Sequence, residues 1–174
     1  ELLPRILERQ KRARKKKAPS FMMAVPRQRE ICAQVARELG FDFTRGRMDV
    51  SAHPFCGGSP KDVRLTVRYD EKDFTGSLYS LIHETGHALY EAGLPRNWRR
   101  QPVGLARGMV LHESQSLLME MQACRSRAFI DFAAPRMRAT FGTSGPAWTA
   151  ENIHSVYTRV APGFIRVDAD EVTY

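Results

Sequence analysis

The pentad His83-Glu84-Thr85-Gly86-His87 constrains this chain more than any other stretch. On an α-helix, residues i and i+4 stand one above the other, about 5–6 Å apart between Cβ atoms, so both imidazoles leave from one face. Two neutral imidazoles so placed are good donors for a zinc ion, at bond lengths of about 2.0–2.1 Å. Glu84 follows the first of them, where it can stand beside a metal without ligating it and act on a water molecule. Catalytic zinc takes three protein ligands and keeps a fourth position open. The pentad helix is therefore expected to pack against a second element that carries the third donor.

The flanks make the pentad part of a buried helix rather than a chance match on a solvated one. Leu78, Leu81 and Ile82 precede it and Ala88 and Leu89 follow it, at near 3.6-residue spacing. Asp73 and Thr75 are plausible N-caps, and Gly93-Leu94-Pro95 is a stop signal. Gly86 costs the helix about 1 kcal/mol against Ala, which points to a backbone or a substrate approaching closely there. The chain has five histidines. One of them, His112, adjoins Glu113 in a segment from Gly108 to Met121 that reads as a second amphipathic helix, with Val110, Leu111, Leu117 and Leu118 apolar. Glu113 is the expected third ligand, completing a His, His, Glu set. His112 is the rival ligand, or a polar neighbour that contacts the reaction. Glu91 is disfavoured as a ligand because it sits two turns beyond His83 on the same helix. Glu120, two turns after Glu113, is expected to orient a ligand.

Several motifs occur in order: His53-Pro54-Phe55, Asp62-Val63-Arg64-Leu65-Thr66 with Arg68-Tyr69, the pentad, His112-Glu113-Ser114-Gln115-Ser116, and Ile165-Arg166-Val167-Asp168-Ala169-Asp170-Glu171. From about residue 40 to residue 174 the chain resembles the carboxypeptidase Taq family of metal-dependent carboxypeptidases. The resemblance implies a mainly α, zincin-like helical core with a deep groove and a small sheet, expected to be antiparallel, beside the metal helix. It implies His83, His87 and Glu113 as metal ligands, Glu84 as the catalytic residue, and Zn²⁺ as cofactor with Co²⁺ as a substitute. It also implies that the HPF, DVR and Ile-Arg motifs line the groove. A carboxypeptidase must hold a free C-terminal carboxylate, which an Arg fork does bidentately. Arg166 and Arg64 are the expected clamps, with Arg68 behind them. His53 either donates to a substrate carbonyl or carboxylate or satisfies the turn before Pro54. His112 is counted with these substrate-binding candidates, since it or a nearby Tyr could help to stabilise the oxyanion.

The expected activity is zinc-dependent removal of C-terminal residues from peptides that carry a free C-terminus. The alternatives are a metalloendopeptidase with the same core, a non-catalytic metal- or peptide-binding remnant, and a nucleic-acid-binding module. The last rests on charge alone. Of the net +8, six charges lie in residues 1–17, where eight Lys/Arg face only Glu1 and Glu8. That run lacks interleaved aromatics and reads as a solvated helix rather than a nucleic-acid site.

The 174 residues, 43% of them hydrophobic, suit one catalytic domain over 1–174. No apolar run approaches the 18 residues of a membrane span, and no signal-peptide pattern is present. Three cysteines (Cys32, Cys56, Cys124) without metal spacing suggest reduced thiols and a cytoplasmic location. A start at Glu1 and the greater length of family members suggest the central catalytic segment of a longer architecture; a homodimer stays open. Helices are expected at about 2–17, 26–39 and 105–141, and from Thr149 to about 160. Strands are expected at 47–50 and 63–69, joined by a loop at 56–60.

Overall fold

Asp73 starts the pentad helix as its sequence suggests, its carboxylate accepting a hydrogen bond from the Gly76 backbone N–H at 2.9 Å. In this computed structural model, which describes residues 2–13, 18–19 and 22–163, that helix runs from Phe74 to Gly93 and is here named with the others in chain order. They are α1 (Leu2–Arg12), α2 (Val25–Glu38), α3 (Phe74–Gly93), α4 (Met109–Leu117), α5 (Arg127–Phe141) and α6 (Ala150–Tyr157). The strands are β1 (Gly46–Val50), β2 (Cys56–Ser59) and β3 (Asp62–Val67).

Helix α3 is buried more completely than one apolar stripe requires. Leu78, Leu81 and Ile82 are fully buried, and so, nearly, are Ser77, Tyr79, Thr85 and Ala88. A helix covered on most of its circumference is a central element. One apolar cluster surrounds it, built from Ile31 and Val35 of α2, Val63, Leu65 and Val67 of β3, Ile130 and Met137 of α5, and Trp148 and Ile153. Burying each of these large side chains is worth about 1.5–3 kcal/mol.

The sheet is mixed, which corrects the antiparallel expectation. Its order is β1-β3-β2, with β2 antiparallel to β3 and β1 parallel to β3. The expected loop at 56–60 is mostly strand β2, and this extra reversal of the chain changes the sense of the β1–β3 pair. Gly57-Gly58 concealed the strand, because glycine carries no β-propensity signal. Gly58 has φ +109°, and a Cβ there would overlap the Asp62 carbonyl oxygen, so the hairpin requires glycine.

The expected long helix over 105–141 is also corrected. After α4 the chain widens into a π-helical turn (Leu118–Ala123) and breaks at Cys124. Ser126 then caps α5, its hydroxyl accepting from the Phe129 N–H at 3.2 Å. The cap at Thr149 is as expected, and α6 ends at Tyr157. Helix α1 has no buried residue and is tied to Val160 through the side chain of Gln10, at 2.7 and 2.9 Å. Residues 14–17 of the basic run, and the whole Ile165–Glu171 motif with Arg166, lie outside the described residues. No helix among the described residues is long and apolar enough to cross a membrane.

Candidate metal centre

Two imidazoles from α3 and a carboxylate from α4 converge. The rings of His83 and His87 meet edge to face with centroids 4.9 Å apart, one turn from each other as the i, i+4 spacing dictates. Glu113 Oε2 lies 3.6 Å from His83 Nε2 and 3.2 Å from His87 Nε2. The three ligand atoms all fall within 4.8 Å of one another. Donors placed tetrahedrally around a zinc ion at about 2.0–2.1 Å are about 3.3 Å apart. The residues present therefore fit a small tetrahedral cation in both spacing and donor chemistry.

Gly86 explains how the carboxylate gets there. A Cβ on Gly86 would lie 2.6 Å from Ser116 Cα and 2.8 Å from the Gln115 carbonyl oxygen. The close approach expected at Gly86 is thus made by the backbone of α4, and it brings Glu113 within reach of both histidines.

Each imidazole is engaged on its other nitrogen. His83 Nδ1 lies 2.9 Å from Glu120 Oε2, and the other Glu120 oxygen is 3.6 Å from an Arg125 guanidinium nitrogen. Glu120 sits in the π turn, whose wider winding sets its register toward α3. His87 Nδ1 lies 2.6 Å from His112 Nδ1, and His112 Nε2 lies 3.0 Å from Glu91 Oε1. The Tyr90 ring stands edge-on to His112 with centroids 4.9 Å apart. His112 thus has both ring nitrogens engaged within the chain, and the group able to hold a metal is formed by His83, His87 and Glu113. Glu91 is the residue that sequence reasoning undervalued. Its i+4 spacing from His87 places it on the same face of α3, where it meets His112 rather than joining the His83, His87 and Glu113 cluster.

Glu84 is buried at 7% exposure, and its carboxyl makes no hydrogen bond to another described residue. Burial pushes its pKa up to about 7; the His83 charge opposes this, and Glu113 and Glu120 add to it. On His83, burial acts downward, but the carboxylates of Glu120, Glu113 and Glu84 together raise it above the ordinary histidine range. His87 is held below that range by burial and by the neighbouring rings of His83 and His112. Cys56 also feels this site. Its thiol is pushed up to about 12 by burial and then by the charges of Glu84 and Glu91. All three cysteines are unpaired.

The substrate-binding candidates are distributed differently. Arg64 is exposed on the face of β3 opposite Val63 and Leu65, and its guanidinium pairs with Asp62 at 2.8 Å rather than with the metal cluster. His53 is exposed, and its carbonyl accepts from the Ser51 hydroxyl. The HPF and DVR motifs form one unit. Phe55 N–H donates to Thr66 Oγ1 at 3.0 Å, and Thr66 N–H donates to the Phe55 carbonyl at 2.9 Å.

Comparison with known proteins gives a consistent picture. Residues 1–174 match the family model described as carboxypeptidase Taq (M32) metallopeptidase. The chain is 41% identical over 151 residues to thermostable carboxypeptidase 1 of Thermus thermophilus, covering 86% of this chain and 29% of that protein. It is 35% identical over 149 residues to carboxypeptidase 1 of Bacillus subtilis, covering 85% of this chain and 30% of that one. Its structure superposes on metallocarboxypeptidase 1 of Trypanosoma cruzi with a TM-score of 0.93 at 47% identity, over 99% of this chain and 36% of the other. The chain thus spans about 30% of the length of the curated relatives it matches.

Proposed function

The chain belongs to the carboxypeptidase Taq (M32) metallopeptidase family, and from that premise we propose that it carries the catalytic centre of a zinc-dependent carboxypeptidase acting on peptides with a free C-terminus. The observation that carries this reading is the convergence of one donor atom each from His83, His87 and Glu113 within 4.8 Å, beside the buried carboxyl of Glu84, which bonds to no other described residue. His83, His87 and Glu113 would hold the ion. Two imidazoles and a carboxylate suit zinc, with cobalt as a substitute. Once bound, the ion supplies Lewis acidity, polarising the scissile carbonyl and lowering the pKa of water from 15.7 toward about 7.

The remaining chemistry belongs to side chains. Glu84 accepts a proton from the attacking water and returns it to the leaving amine. A base tuned near neutrality does both, and burial moves Glu84 in that direction. Glu120 accepts from His83 Nδ1–H, which keeps the Nε2 lone pair directed at the cluster. Arg166 is the proposed clamp for the terminal carboxylate, with Arg64 and His53 along the same groove. Arg64 serves only if it exchanges Asp62 for substrate. The proposal places this single domain in the cytoplasm, in keeping with three unpaired thiols.

Elemental analysis combined with a peptide panel tests the reading. One zinc per chain and stepwise trimming of free-acid peptides, with C-terminal amides spared, is the expected result. Equal cleavage of the amides would make it an endopeptidase. Bound metal without trimming would make this chain a non-catalytic binder.

A further inference from the structure

The two histidines of the pentad are supported unequally. His83 rests directly on a carboxylate, whereas His87 rests on another imidazole. The 2.6 Å contact between His87 Nδ1 and His112 Nδ1 holds a single proton, because two bare nitrogens or two N–H groups would repel at that distance. Which ring owns that proton is decided at the two outer nitrogens, His112 Nε2 and His87 Nε2. His112 Nε2 faces the carboxylate of Glu91 at 3.0 Å, and an ionised carboxylate only accepts. His112 must then carry its one proton on Nε2 and present a bare Nδ1. With a cation between His87 Nε2 and Glu113 Oε2, which lie 3.2 Å apart, His87 Nε2 cannot carry a proton of its own, and the proton between the rings belongs to His87 Nδ1.

We infer that Glu91 and His112 form a positioning relay that sets the tautomer of His87 through one ordered run of hydrogen bonds. His87 Nδ1–H donates to His112 Nδ1, and His112 Nε2–H donates to Glu91. The opposite order would put the bare His112 Nε2 against the Glu91 carboxylate, two lone pairs at 3.0 Å. The relay gives His112 a task that needs no contact with substrate. The edge-on ring of Tyr90 packs against His112, and Tyr90 Oη in turn accepts from the Arg107 N–H at 3.1 Å. Glu91 belongs to α3 itself, one turn past His87, and His112 belongs to α4. The relay therefore closes only when the two helices pack, as Glu113 requires too. The proton order rests on the metal-site reading above, because only a cation at His87 Nε2 removes the competing hydrogen bond to Glu113.

The test is a long-range ¹H–¹⁵N NMR spectrum of the zinc-loaded 174-residue chain, recorded at about pH 8.5, well above the ordinary histidine pKa of about 6.5. His87 is expected as the Nδ1–H tautomer and His112 as the Nε2–H tautomer. Glu91→Gln keeps an accepting oxygen and is expected to preserve both tautomers and zinc affinity measured against a chelator. Glu91→Ala removes the acceptor, frees the tautomers to mix, and is expected to weaken zinc about 10-fold to 100-fold. An Nε2–H tautomer at His87 in the wild-type chain overturns the relay, as do unchanged tautomers and zinc affinity in Glu91→Ala. A wild-type chain that binds no zinc would sink the metal-site reading and the relay with it, whereas zinc held equally tightly by the wild type and Glu91→Ala would sink the relay alone.

Discussion

Gly86 of α3 and Ser116 of α4 are in backbone contact: a Cβ added to Gly86 would stand 2.6 Å from Ser116 Cα. This contact sets the separation of the two helices that share the candidate metal centre, because Glu113 lies one turn before Ser116 on α4. Ser116 is itself fully buried, and its hydroxyl donates to the Glu113 carbonyl at 2.7 Å.

Gly86→Ala is therefore expected to destabilise the protein although alanine is the better helix former. The gain in helix propensity is about 1 kcal/mol. The methyl group meets main chain, which cannot swing aside, and overpacking of this kind costs about 1–3 kcal/mol or more. Displacing α4 also moves Glu113, so zinc affinity should fall about tenfold or more. Thermal denaturation without metal and a chelator competition measure the two effects separately.

Glu84→Gln is expected to keep zinc and lose hydrolysis, because an amide cannot take the water's proton. A drop of about 100-fold to 10,000-fold in kcat is the range for losing a general base. Stoichiometric zinc by elemental analysis must accompany that loss. Full peptide trimming by this variant would exclude the mechanism.

The two carboxylates on the α4 side should separate by severity. Glu113→Ala removes a ligand atom from the cluster, and the expected outcome is no zinc retained through gel filtration. Glu120→Ala leaves the three donors in place but releases His83 Nδ1, so zinc binding should persist about 10-fold to 100-fold weaker. Isothermal titration with zinc distinguishes the two.

The metal-free chain should lose stability as pH rises across the range in which Glu84 ionises. Its folded pKa of about 7 exceeds the ordinary 4.5, so the native state binds this proton more tightly than the unfolded chain does. The contribution is fully present below about pH 4.5, declines as pH climbs toward 7, and is gone above it, a change on the order of 3 kcal/mol. Glu84→Gln carries no such proton and should flatten this part of the profile. Urea unfolding with chelator at about pH 5 and about pH 8 measures it; equal slopes for the two proteins would discount the burial of Glu84.

Much of the site was legible in the sequence because its governing relations are short. Asp73 as cap, Gly93 as terminus, and His83 and His87 on one face all follow from helical geometry within 21 residues of chain. Glu113 and Glu120 were legible as polar residues inside an apolar periodic segment, and both face the pentad histidines. The sheet was less legible. Gly57-Gly58 hid β2, and without β2 the parallel sense of β1 and β3 could not be inferred. The continuous helix expected over 105–141 failed for a related reason, since the apolar spacing continues through the π turn that interrupts it.

By itself, then, the sequence determined that a buried helix presents two imidazoles and a glutamate at neighbouring positions, and that the carboxylate meeting them comes from the next helix. Those facts depend on residue identity and on the 3.6-residue period. Only the tertiary structure decided what stands behind each imidazole. Glu120 reaches His83 across 37 positions and His112 reaches His87 across 25. Such contacts depend on how closely two helices pack, and here the missing side chain of Gly86 sets that distance.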